Sequence, residues 1–481
     1  MSFIILEIAY VILLILVCFK IIYDTTDPFK TTAYLLLAIF IPVVGMVVYF
    51  VFGTNYRKRL IYTKKLVGDE QETHNLNEKI VSFSADNLQR SKLQIREAAP
   101  LVNLLMNDSL SPLTHGNDVK LLLNGEEKFP EVFDVLHSAK HHIHLEYYMF
   151  EDDEVGNHIK DILIQKAQEG VEVRVIYDDL GSRSVRKTII PVLKKAGVEA
   201  FPFNGVTFSL LANRINYRNH RKIIIVDGSI GFVGGINICD KYINKKVVAR
   251  EYWRDTHVRI DGSCVLFLQH IFLCDWNFCA QQKIGVSGEY FPEFSDLHGN
   301  YAMQIAASGP DSPTATIMLT FLKAIQLAKK EIIITTPYFI PPASIIDALK
   351  VAALGGVSIT ILVPGISDSR FVNAAAWTNY GPLLRCGVEI YLYEKGFIHA
   401  KTMVVDKHIS IVGTANMDIR SFDLNFEVNA VVYSHDFASQ LGASFVEDLH
   451  HARKLEYKVW LQRPVYIKMF NKLAGLLSPL F

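Results

Sequence analysis

The chain is 481 residues long, half of them hydrophobic, and its 49 lysines and arginines balance 49 aspartates and glutamates. A single core of ordinary size does not accommodate that length, so two or more domains are expected. Charge balance excludes the broad basic field that gathers nucleic acid, and no nucleic-acid partner is expected.

Two apolar runs come first, "FIILEIAYVILLILVCFKIIY" from Phe3 to Tyr23 and "TTAYLLLAIFIPVVGMVVYFVF" from Thr31 to Phe52. Each approaches the ~20 residues that cross a hydrocarbon core as a helix, so two transmembrane helices are expected within residues 1–60. The first run lacks the basic start and small-residue cleavage site of a signal peptide, and a second apolar run follows it closely. Arg57, Lys58, Arg59, Lys64 and Lys65 flank the second run, a positive bias that puts the remaining chain on the cytoplasmic side of the cell membrane. Residues 61–115 are polar, with apolar residues at loose helical spacing, and read as a linker carrying an amphipathic helix.

The rest of the chain repeats itself. "LHSAKHHIHLEYYMF" is echoed by "IQLAKKEIIITTPYFI", "QEGVEVRVIYDDLGS" by "ALGGVSITILVPGIS", and "VLKKAGVEAF" by "LLRCGVEIYL". Each time a helical pattern ends at glycine and an apolar strand follows, which predicts βα units and a sheet with parallel content. His141, His142 and His144 read as polar positions at the start of such a strand rather than a metal site, since the second copy has no histidine there. Cys18, Cys239, Cys264, Cys274, Cys279 and Cys386 show no metal-knuckle spacing and read as ordinary thiols of a reducing compartment.

The strongest echo lies between His220–Asn237 and His399–Asn416. Eight of eighteen positions are identical without a gap, which establishes internal duplication, with copies over about 116–290 and 297–460. The expected division is a first domain over 116–290 and a second over 297–481, the latter ending in an aromatic, basic and leucine-rich interfacial tail. Another mixed apolar and basic stretch, Phe208 to Arg218, is a second candidate for lipid contact.

"HRKIIIVD" is a strand by composition, so His220 and Lys222 share a face, as do His399 and Lys401. Asp227 and Asp406 sit at odd offsets before a turn and read as supports. The glycines Gly234, Gly235 and Gly413 allow close backbone approach, and Asn237 and Asn416 follow with amides able to donate. Two like halves packed about a pseudo-twofold axis would bring two histidines, two lysines and two asparagines into one cleft. That set suits a phosphodiester: lysines and amides hold non-bridging oxygens, one imidazole attacks phosphorus, and the other protonates the departing alcohol. No metal or other cofactor is required, and none is expected.

The paired pattern His-x-Lys-(four residues)-Asp, followed by Gly-rich sequence and Asn, resembles the phospholipase D superfamily. With two apolar runs ahead of it, and with "EYWRDTHVRIDG" and "SFDLNFEVNAVVY" further on, the chain is similar to bacterial cardiolipin synthases. The resemblance implies an α/β fold of duplicated phospholipase D-like domains, mixed sheets flanked by helices and related by pseudo-twofold symmetry. It implies a catalytic set of His220, Lys222, Asp227, His399, Lys401 and Asp406, supported by Asn237 and Asn416. An acid orienting each histidine is also implied. Glu427 fits that role in the second half and Asp255 in the first, at a distance from its histidine longer by seven residues. Thr414 departs from the first copy by replacing its second glycine. The implied reaction passes a phosphatidyl group from one phosphatidylglycerol to another through a phosphohistidine, with His220 attacking and His399 as acid, then base. A hydrolase would use the same side chains with water as acceptor. A nuclease would need a basic groove, and a membrane scaffold would have no need of two complete motifs.

Overall fold

The computed structural model describes residues 2–25, 28–50, 84, 87, 89, 91, 95–203, 217–244, 252–285, 288–294 and 299–476. The basic cluster at residues 57–65, most of the expected linker and most of the stretch Phe208 to Arg218 lie outside the described residues.

Fifteen strands form one continuous mixed sheet whose order repeats outward from its centre. Thr114–Leu123 and Tyr301–Ser308 make the central antiparallel pair. The first half continues through Thr256–Asp261, Ile230–Gly234, Lys222–Val226, His142–Tyr147, Glu172–Asp178 and Glu199–Phe203. Outward on the other side run Glu427–Tyr433, Ile409–Gly413, Thr402–Val405, Glu331–Thr335, Ser358–Pro364 and Glu389–Tyr393, with Ala452–Lys454 added at the edge. Each strand of one half thus has its counterpart at the same rank in the other. The outer strands of each half pair parallel, as βα crossovers require, the inner ones pair antiparallel, and the added edge strand Ala452–Lys454 runs antiparallel to Glu389–Tyr393.

Strand faces follow the period of two. On Lys222–Val226, Ile224 and Val226 join the first-half core with helices Asn124–Ser138 and Glu154–Gln168, whereas Ile223 and Ile225 face the other way. Those two meet Val404, Val412, Val428 and Val432 of the second half in a third core between the halves. Helices Val265–Ala280 and His435–Leu449 contribute Leu268 and Phe437 to the same core. With both faces covered, the motif strands are continuously apolar.

Helix Ala99–Ser109 lies in the stretch read as a linker, yet Leu101, Val102 and Leu105 are buried in the second-half core. The amino-terminal runs also differ from expectation, because among the described residues no helix is long and apolar enough to cross a membrane. Ser2–Asp24 is a helix of 23 residues interrupted by Glu7, Lys20 and Asp24. The second run breaks into Pro28–Phe40 and Pro42–Val48, since Pro42 has no N–H to continue the ladder. The pieces form a hairpin around Val17, Ile21, Ala38, Met46 and Tyr49. Its outer surface exposes Ile8, Ile12, Leu16, Phe19, Ile39, Phe40 and Val43 among other apolar side chains.

Candidate active site

Each half donates a histidine to its own motif and an acid to the other half's. His220 N–H donates to the carbonyl of Phe426 at 2.9 Å, and Phe426 N–H donates to Arg218 at 2.8 Å. Symmetrically, His399 N–H donates to Arg254 at 2.7 Å and Phe397 N–H to Tyr252 at 2.8 Å. Short parallel pairings of Phe397–Ile398 with Trp253–Arg254, and of Asn219 with Phe426, therefore stitch the halves together beside the site. The acids follow directly. His220 Nδ1 donates to Glu427 Oε2 at 2.9 Å, and His399 Nδ1 to Asp255 Oδ2 at 2.7 Å. The sequence reading kept each acid within its own half; the structure crosses them.

An ionised carboxylate only accepts, so each Nδ1 carries the proton and each Nε2 keeps a lone pair for the cleft. Both imidazoles line one cleft of about 560 Å³, with Asn237, Asn416, Tyr148, Trp253, Lys241 and Arg420 among its walls. Lys222 and Lys401 are buried beneath it, each Nζ donating to the carbonyl of its own histidine, at 2.8 Å for Lys222. An ammonium has three donors, so further protons remain for phosphate oxygens.

Burial dominates the electrostatics. It pulls His220 down to about 4 against the attraction of Glu427, and takes His399 well below the ordinary histidine range, helped by Lys401 and Lys222. It draws Lys222 down to about 7 and Lys401 to about 8. Asp255 is pushed up to about 6 by burial. Burial also pushes Glu427 upward, but His220, Lys222 and the Thr414 hydroxyl outweigh it and hold the carboxyl below its usual range. An arriving phosphodiester anion reverses the histidine bias, because opposite charge favours imidazolium.

Asp227 and Asp406 do a different job from the catalytic one implied by resemblance. At φ 51° and 50°, each sits in the left-handed turn after its strand, a conformation aspartate tolerates. Asp227 accepts from the N–H groups of Lys140, His141 and His142, at 2.9, 2.8 and 2.9 Å. Asp406 accepts from Lys329, Lys330 and Glu331 in the same way, at 2.7, 2.8 and 2.8 Å. Both therefore anchor the neighbouring strand's start, at the opposite end of the motif strand from the histidine. Asn237 is committed to the wall, its Nδ2 donating to Tyr242 Oη at 2.8 Å and its Oδ1 accepting from Met149 N–H at 3.2 Å. Asn416 keeps a buried Oδ1 without a partner among the described residues. His142 and His144 are buried against Gln269, and His144 stacks on Phe272 with centroids 4.4 Å apart. All six cysteines are free.

Aromatic walls set the two histidines apart. Tyr148 meets His220 edge-on at 4.9 Å, while Trp253 at 5.5 Å and Phe397 at 5.8 Å crowd His399. Sequence reasoning passed over Lys241 and Arg420. Each follows its asparagine by four residues, so carrying the repeat alignment four places further would have paired them.

Comparison with known proteins places this geometry in a family. The family model described as "Cardiolipin synthase, PLD-like domain" matches residues 132–248 and 321–449. A second, "Phospholipase_D-nuclease N-terminal", matches residues 9–53. The major cardiolipin synthase ClsA of Bacillus subtilis is 40% identical over 481 residues, covering 98% of this chain and 97% of that protein. A cardiolipin synthase from a Geobacillus strain is 42% identical over 472 residues, covering 97% and 92%. Among solved structures, phosphatidylserine synthase from Haemophilus influenzae superposes with a TM-score of 0.60 at 15% identity, over 79% of this chain and 100% of that one, a likeness of fold. By the two matched segments and by identity along nearly its whole length, the chain belongs to the cardiolipin synthase family of phospholipase D-like proteins.

Proposed function

We propose that the protein is a membrane phosphatidyltransferase that joins two phosphatidylglycerol molecules into cardiolipin and glycerol. The observation that carries the reading is one cleft holding two imidazoles, each backed by a carboxylate from the opposite half and each underlain by a buried lysine. In the first step His399 takes up a proton at Nε2 as the phosphodiester anion binds, His220 Nε2 attacks the donor's phosphorus, the bond to the glycerol oxygen breaks, and His399 gives that oxygen the proton. A phosphatidyl group is left on His220. In the second step His399 takes the proton from the primary hydroxyl of another phosphatidylglycerol, the freed oxygen attacks phosphorus, and the phosphorus–nitrogen electron pair returns to His220. Lys222 and Lys401 neutralise the non-bridging oxygens in a site shielded from water. Glu427 and Asp255 hold the ring orientation and stabilise each imidazolium as it forms.

The exposed apolar surfaces support a lipid setting. The amino-terminal hairpin embeds its apolar outer surface in the bilayer, with the Lys20–Asp24 pair, 3.0 Å apart, toward one boundary. The arginine and lysine cluster after it keeps the two catalytic halves cytoplasmic. Helix Val465–Leu476 exposes Val465, Tyr466, Met469, Leu473 and Leu476, and packs its other face on helix Arg370–Arg385, whose Val372 lines the cleft. A lipid-facing surface therefore adjoins the cleft mouth.

The test supplies labelled phosphatidylglycerol in vesicles to the full chain and identifies the products. Cardiolipin with glycerol is expected; phosphatidic acid alone would make the protein a hydrolase and overturn the reading.

A further inference from the structure

Transfer to a lipid alcohol poses a problem that hydrolysis does not. The acceptor phosphatidylglycerol brings a second phosphate, one glycerol unit from the hydroxyl that attacks, and that anion must be seated while the first phosphorus reacts. The entering hydroxyl takes the place of the departing one, so the second phosphate lies on the far side of the imidazole that exchanges the proton.

Next to His399 in the cleft wall, against the ring of Trp253, stands Lys241. Its ammonium sits 4.1 Å above the ring of Trp253, which is itself 5.5 Å from the His399 ring. Lys241 lines the cleft, is half-buried, and among the described residues has no carboxylate within ion-pair distance and no side-chain hydrogen bond. The carboxylates Glu151, Asp368 and Asp255 act on it only from a longer range, Asp368 being held by the Tyr338 hydroxyl at 2.6 Å. A cation withdrawn from water and left without an anion is costly unless a ligand supplies one. The duplication makes the position more telling. Lys241 and Arg420 occupy the same place in the two copies, so each copy lends the cleft wall a cation, lysine against Trp253 and arginine in the wall that also holds Tyr148.

We propose that Lys241, positioned over Trp253, binds the phosphodiester of the acceptor phospholipid and so directs the phosphatidyl group to a phosphate-bearing alcohol. This rests on the transferase reading above. Glycerol, having no phosphate, cannot use the contact, and neither can water. Lys241 is therefore a specificity residue for the second step.

Two reactions of the same enzyme separate its role from general damage. Labelled glycerol exchanging into phosphatidylglycerol reports phosphatidyl transfer to a neutral alcohol, and cardiolipin formation reports transfer to a phospholipid. In Lys241→Gln the ratio of cardiolipin formation to glycerol exchange should fall tenfold or more, with the KM for acceptor phosphatidylglycerol rising, and Lys241→Arg should recover most of the ratio. Parallel loss of both reactions, or an unchanged ratio, would overturn the assignment. Should the unsubstituted protein exchange glycerol yet form no cardiolipin, the proposed use of a second phosphatidylglycerol as acceptor fails and this inference with it.

Discussion

Gly235 and Thr414 occupy the same position in the two copies and solve one problem in opposite ways. A Cβ on Gly235 would stand 2.1 Å from Asp255 Oδ1, so the first copy keeps the space empty for a short acid. In the second copy the Thr414 hydroxyl fills the space and donates to Glu427 Oε2 at 2.5 Å. Gly235→Ala should push Asp255 off His399 and reduce kcat by roughly ten- to a hundredfold, in the range of a mispositioned catalytic group. Near-normal turnover by purified, folded variant would show that the Asp255 contact is dispensable. The acids also predict a pH profile. Asp255, raised to about 6 by burial, supports an imidazolium on His399 above that pH and loses its charge as pH falls through it. Lys222 and Lys401, drawn down by burial to about 7 and about 8, are charged for the proposed phosphate contact below those values and lose charge above them. The kcat/KM of the free enzyme should therefore peak between about 6 and 7 and fall on both sides. Asp255→Asn should lower the maximum by about 10²-fold or more and abolish the acid limb; an acid limb unmoved by that substitution would assign it elsewhere.

At the scale of elements, the proposed membrane setting rests on the apolar outer faces. The tail helix Val465–Leu476 is not free to be removed, because Asn471 and Ala474 are buried, Phe470 meets Phe371 at 5.6 Å, and Trp460 just before it packs on Trp377 at 5.1 Å. Its lipid contact is better tested on the outer face. Met469→Glu with Leu473→Glu removes two apolar side chains worth ~1.5–3 kcal/mol each when buried, so co-sedimentation with vesicles should weaken tenfold or more. Activity in detergent micelles should persist, and full vesicle binding would remove this helix from the interface. The sequence showed that tail's aromatic and basic mixture, but not which face packs inward, since that depends on helix Arg370–Arg385 lying against it. Hydropathy likewise ran straight across Pro42. It counts side chains, while the break comes from a missing backbone donor. Strand elements were legible because both faces of the sheet are buried and their apolar runs are unbroken.

Over the whole molecule, the duplication legible between His220–Asn237 and His399–Asn416 becomes a sheet of mirrored order, and the symmetry brings both histidines to one cleft. What the sequence did not reveal is the exchange between copies. Glu427 lies 28 positions beyond His399 and 207 beyond His220, yet its partner is the distant one. Separation along the chain carries no information about a pairing made by two-residue strands across a twofold axis. Neither half is therefore a complete enzyme: each imidazole without its crossed acid loses its orientation, and each half's inner sheet face without the third core is an exposed apolar surface. The same crossing makes the site a property of a single chain. His220→Ala and His399→Ala should each lose activity by about 10³-fold or more, since in the proposed mechanism nucleophile and proton donor act on one phosphorus. Mixed in equal amounts, the two variants should show no more than the sum of their residual rates. Complementation would require the Trp253–Phe397 and Asn219–Phe426 pairings to open and the core behind them to reform between chains. Restoration of even a tenth of the unsubstituted rate on mixing would mean that the halves exchange between molecules, and that the cleft is assembled from two chains rather than one.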